Sequence, residues 1–205
     1  MKRILSVFIL SVVAFAAGAD GTTIVDDWAT VQPPQAPILV PVKVDPATTA
    51  LLLLDFQDRI IGGRPRSLAT VPKVKRLLDF ARSSGLVVAY SLGGPAGVES
   101  IVADLKPIST EHVVHSSVDK FYGTDLEAFL KSKGITTVIV TGLQAEGAVL
   151  GTSIGACLRG FKVIVPVDGT ASPELYAEQY VAWHLLNAPA VRGNVKLTRT
   201  DLIGL

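Results

Sequence analysis

The chain has 205 residues, 49% hydrophobic and 18% charged, with a formal net charge of +1. That is long and apolar enough for one domain with a substantial core, and it excludes a disordered chain. A near-zero charge gives no footing for nucleic acid or an anionic membrane surface as partner. The single cysteine, Cys157, excludes an internal disulfide and a cysteine-built metal centre. His112, His115 and His184 lack a metal-ligand spacing, so neither a metal nor a cofactor is expected.

Residues 1–19 have the form of a signal peptide. Lys2 and Arg3 are the charged lead, Ile4 to Ala16 is apolar, and Ala17-Gly18-Ala19 fits a small-x-small cleavage site. The apolar run is short for a membrane span. The expectation is a periplasmic or secreted protein, with no membrane contact once the signal is removed. Residues 20–46 hold Pro33, Pro34, Pro37, Pro41 and Pro46, a density that opposes helix and central strand alike. They are predicted to form an extended arm that wraps the surface of a domain spanning residues 47–205.

Thr48–Phe56 is a continuous apolar run, as expected of a strand covered on both faces, with Asp55 at its end. Val71–Ser84 has helical periodicity and stops at Gly85; Leu86–Ser91 is the second strand. Leu92–Ile108, with three glycines and two prolines, reads as a long loop of the kind that covers a pocket. Glu111–His115 is a third strand. Thr124–Lys133 is a helix with a capping-box pattern, Thr124 and Glu127.

Thr136–Thr141 is a buried strand ended by Gly142, and Glu146–Arg159 a helix that puts its N-terminus at the sheet's carboxyl edge. Gly147, Gly151 and Gly155 share one face of that helix, which predicts close packing there, against the sheet, a ligand or another subunit. Phe161–Val167, Glu174–Asn187 and Val195–Thr198 are the last strand, helix and edge strand. Strands alternating with helices predict a three-layer α/β/α sandwich with a mainly parallel sheet. No G-x-G-x-x-G follows the first strand, so a dinucleotide is not expected.

From Thr48 to Thr198 the chain resembles the isochorismatase-like, or cysteine hydrolase, superfamily. The resemblance is carried by LLLLDFQD, by FYGTDLEAFLKSKGITTVIVTG and by the strand–helix unit that follows. It implies a Rossmann-like hydrolase fold, a small-molecule substrate or ligand, and a homo-oligomer. It also implies a catalytic Asp after the first strand, a Lys ahead of the F-x-G-T block and, in thiol-dependent members, a Cys at the start of the helix after the T-G pair.

Asp55 matches the first of these. The nucleophile position falls on Ala148, and Cys157 lies nine residues further along the helix, about 13 Å away. The lysine position, six before Phe121, is His115, while Lys120 adjoins Phe121. Lys120 and His115 are therefore alternatives for the role. Gln57, Phe121, Gln144, Ala145 and Glu146 are expected to contact substrate. Metal binding of the family's nicotinamidase type is not expected, because Gln57–Arg66 holds no His. The resemblance thus implies a hydrolase working by acid–base chemistry at Asp55 without a thiol; the alternative is an inactive member that binds a ligand or a protein in the same pocket.

Overall fold

The structure, a computed structural model, describes residues 21–205. The predicted signal peptide lies outside the described residues. Two compact units are distinguished, one ending at Pro33 and the other spanning Pro34–Leu205. Within the first, α1 (Ile24–Asp27) forms where the prolines predicted no helix. It precedes Pro33, and its first turn is closed by Thr23 Oγ1 accepting from Val25 N and Asp26 Oδ2 accepting from Thr23 N.

The second unit runs through β1 (Val42–Lys43), β2 (Thr49–Leu54), α2 (Asp58–Ile61), α3 (Pro65–Ser83), β3 (Val87–Leu92), β4 (His112–His115), α4 (Leu126–Ser132) and β5 (Thr137–Leu143). A π-helical turn (Ala145–Val149) leads into α5 (Leu150–Leu158). Then follow β6 (Lys162–Pro166), β7 (Thr170–Ala171), α6 (Leu175–Asn187), β8 (Val195–Thr198) and β9 (Ile203–Gly204). The main sheet has the order β4-β3-β2-β5-β6-β8, with β7 beside the end of β5, and every pairing is parallel. The short β1 pairs with β9 in a separate two-stranded sheet.

Strand β2 shows why its run is unbroken. Leu51 and Leu53 face a core shared with Val74, Leu77 and Leu78 of α3. Ala50, Leu52 and Leu54 face the opposite core, with Leu126 and Leu130 of α4, Ala156 of α5 and Leu185 of α6. Both faces are covered, so alternation with polar residues has no place. Val40 lies against the far edge, where Thr198 Oγ1 donates to its carbonyl at 2.6 Å.

Three local expectations are corrected. Helix α3 begins at Pro65, with Pro72 inside it. The first proline suits an N-terminal turn, where the missing N–H is no loss, so the helix starts well before the periodic stretch. The capping box at α4 is not formed. Thr124 Oγ1 donates to the Lys120 carbonyl at 2.7 Å, and Glu127 is drawn to Lys131 and Arg159. Gly142 does not end β5 but lies within it at φ +150°. A Cβ there would stand 2.5 Å from both Cβ and O of Leu54. Only glycine lets β2 and β5 come this close at their carboxyl ends.

Candidate active site at the strand switch

The sheet order reverses between β2 and β5. From β2 the chain moves outward to β3 and β4, and from β5 it moves the other way to β6 and β8. Ligands of open parallel sheets bind outside the strand carboxyl ends at such a reversal. Asp55 is the first residue beyond β2, and Gln144 and Ala145 follow directly on β5. Leu54 is in register with Gly142 on one side and Ser91 on the other. The switch therefore gathers Asp55, the end of β3 and the start of the helix after β5 at one edge.

Asp55 has φ +57°, a left-handed conformation that Asp tolerates better than most residues. Its carboxylate is held on both oxygens. Lys120 Nζ donates to Oδ2 at 2.7 Å, and Ser91 Oγ donates to Oδ1 at 2.8 Å. The Lys120 side chain is 0% exposed and that of Asp55 only 9%. Lys120 also donates to the carbonyls of Ser116 and Ser117, so the three donors of its ammonium are matched by three acceptors.

The glycine face of α5 explains how a lysine next to Phe121 gets there. A Cβ on Gly151 would meet Val118 Cγ1 at 2.5 Å, and one on Gly155 would meet Asp119 Oδ1 at 2.5 Å. The loop that carries Lys120 lies on these two glycines. Thr152 Oγ1 accepts from Lys120 N at 3.2 Å, and Arg159 bridges Asp119 and the Gly155 carbonyl. The close packing expected of these glycines is against this loop, not the sheet or another subunit. A Cβ on Gly147 would find nothing within 4 Å; this glycine faces open space.

The remaining expected residues separate clearly. His115 is exposed, its Nδ1 at 3.4 Å from the Gly94 carbonyl, so it does not pair with Asp55. It ends β4 facing outward, while Lys120 fills the inner side. Gln57 is fully buried. Its Oε1 accepts from Gly93 N at 2.8 Å and its Nε2 donates to Ser100 Oγ at 3.0 Å. It braces the loop after β3 from within the core. Phe121 is a core residue, stacked on Phe161 beneath the Arg159 guanidinium. Gln144 is half-buried, Ala145 and Ala148 are buried, and Glu146 is exposed.

Cys157 is partly buried, and desolvation pushes its thiol up, with Lys162 opposing more weakly. Ser91 and the carbonyls of Ser116 and Ser117 have no signature in the sequence. Ser91 becomes visible once β3 is known to pair with β2 in parallel, because the residue level with Leu54 must then flank Asp55. A hollow of about 400 Å³ lies elsewhere, lined by Leu39, Val165, Trp183 and Leu186 among others. None of the expected site residues borders it.

The sequence profile of the isochorismatase domain matches residues 49–194. The chain belongs to the isochorismatase family. Streptothricin hydrolase of Streptomyces noursei is 29% identical over 141 residues, 62% of this chain and 51% of that protein. N-carbamoylsarcosine amidase of an Arthrobacter species is 28% identical over 158 residues, 62% of this chain and 58% of the amidase. The chain thus spans little more than half the length of these curated relatives. Among solved structures, the N-carbamoylsarcosine amidase of Thermoplasma acidophilum superposes with a TM-score of 0.63 at 25% identity, covering 75% of this chain and 97% of that one. The family's three-layer α/β architecture is the one expected from the sequence.

Proposed function

We propose that this chain hydrolyses a small molecule by acid–base chemistry at Asp55, without a thiol nucleophile. The observation that carries the reading is the buried Asp55–Lys120 ion pair at the strand switch. Lys120 has no donor to spare, so its part is to fix the carboxylate and balance its charge rather than to carry protons. Each oxygen of Asp55 accepts one bond and keeps a second lone pair. That lone pair takes a proton from an attacking water, and the protonated acid returns it to the leaving group. Helix N–H groups in the turn after β5 suit a developing oxyanion. Family members that use a thiol would carry it where this chain has Ala148. The raised thiol of Cys157 is a poor nucleophile, further along the helix. The names of the relatives, a hydrolase and an amidase, favour a C–N bond as the target.

The test is a panel of small amides, ureas and vinyl ethers offered to the wild type and to Cys157→Ser. Equal turnover by both is expected; loss of turnover in Cys157→Ser would overturn the thiol-free mechanism. One observation favours a second reading, a member that binds without turning over. All three donors of Lys120 are taken within the protein, as in a purely structural pair. No turnover anywhere in the panel selects that reading.

We further infer export directed by residues 1–19 and assembly into a homo-oligomer. N-terminal sequencing of the mature chain and sedimentation test them. An intact Met1, or a strict monomer, contradicts the respective inference.

A further inference from the structure

The rim above Asp55 carries a feature that the hydrolase reading does not use. Strand β3 runs out into Gly93 and Gly94. A Cβ on Gly93 would stand 3.5 Å from Asp55 Oδ2, so the missing side chain keeps the carboxylate reachable. Gly94 turns at φ +73°, and Arg59 Nη2 lies 3.4 Å from where its Cβ would be. On its other side, His115 Nδ1 approaches the Gly94 carbonyl. The two glycines thus form a bare sill leading to Asp55, with Arg59 and His115 flanking it.

Position, more than charge alone, sets Arg59 apart, because its guanidinium lies beside Gly94. Asp55 is already neutralised by Lys120. Arg59 is exposed and forms no ion pair among the described residues. Asp58 precedes it, but successive helix positions point about 100° apart. The guanidinium therefore stands as an unspent positive charge beside the way to the acid–base centre. Its planar fork of donors matches a carboxylate in a two-point contact that a lysine cannot reproduce.

The geometry points to Arg59 as the residue that holds a carboxylate on the substrate, at the end away from the bond broken. The substrate class is then an amide or related compound bearing an acid group, anchored over the Gly93–Gly94 sill with its cleavable bond at Asp55. The assignment of the bond rests on the hydrolase reading; the assignment of the anion site does not.

Isothermal titration of the full chain with N-acetylglycine and with its neutral counterpart N-acetylglycinamide separates the two. The acid should bind at least about tenfold more tightly, because a charge-assisted two-point contact contributes well over one neutral hydrogen bond. In Arg59→Gln the preference should vanish while affinity for the neutral compound is unchanged, and Arg59→Lys should restore part of it. Equal binding of the two compounds, binding of neither, or a preference that survives Arg59→Gln overturns the assignment. An Arg59-dependent preference without hydrolysis leaves the anion site standing and removes the hydrolase reading. Hydrolysis of both compounds with no Arg59-dependent preference does the reverse.

Discussion

Lys120 is held where a charge is hardest to hold, with a side chain wholly out of water. It is tolerated because Asp55 and two backbone carbonyls take its donors. Breaking a buried pair by removing one partner costs about 3–5 kcal/mol, since the other charge is stranded. Lys120→Met should therefore lose stability in that range by urea unfolding. Adding Asp55→Asn to it should recover most of the loss, as the stranded charge is then gone. A Lys120→Met protein within about 0.5 kcal/mol of wild type, the usual range for surface changes, would show that the pair is not formed.

Asp55 was singled out by the resemblance, which implies an Asp after the first core strand; its place at the end of a buried run alone would have been a weak signal. The choice between Lys120 and His115 was not legible. It depends on which way a loop folds back, and that is decided by glycines some 30 positions later. The chemistry of Cys157 is tested at the same scale. Burial raises its thiol, so below its pKa the reactive thiolate is scarcer in the folded protein than in a free cysteine. Iodoacetamide at pH 8 should label it slowly, and faster as pH rises or urea is added. Labelling as fast as free cysteine would place the thiol in the open.

Helix α5 is organised by what it lacks. Alanine ordinarily strengthens a helix by about 1 kcal/mol over glycine. At Gly151 the added methyl meets Val118, including its backbone oxygen at 3.1 Å. The sign should invert. Gly151→Ala should cost about 1–3 kcal/mol, the usual penalty for overpacking, and should loosen the loop that presents Lys120. Equal or higher thermal stability would mean that the loop does not lie on this face. The repeat of Gly147, Gly151 and Gly155 signalled a close neighbour; its identity was beyond reach, because the partner is an irregular loop with no periodicity of its own. The unformed capping box has a similar cause. Thr124 and Glu127 have the right spacing, yet Thr124 Oγ1 accepts from Leu126 N, and Glu127 turns to Lys131 and Arg159 instead of back to the first turn.

Across the whole molecule, the sheet's reversal between β2 and β5 does the assembling. It brings the end of the first core strand beside the end of the fifth, with Gly142 making the approach possible. Alternating strands and helices announced the layers, and the continuous apolar runs announced a sheet buried on both faces. The strand order is set by pairings between distant segments, which leave no local mark, so Ser91 and the Gly93–Gly94 sill came into view only with the folded sheet.

The central claim is that the Asp55 carboxylate does the chemistry. Its most direct test is the initial rate of hydrolysis by Asp55→Asn, on the panel compound the wild type turns over best, with circular dichroism confirming the fold. The amide cannot take a proton from water, so the rate should fall by a factor of about 100 or more. A folded Asp55→Asn protein that keeps the wild-type rate within about threefold, well short of a general-base effect, would contradict the account.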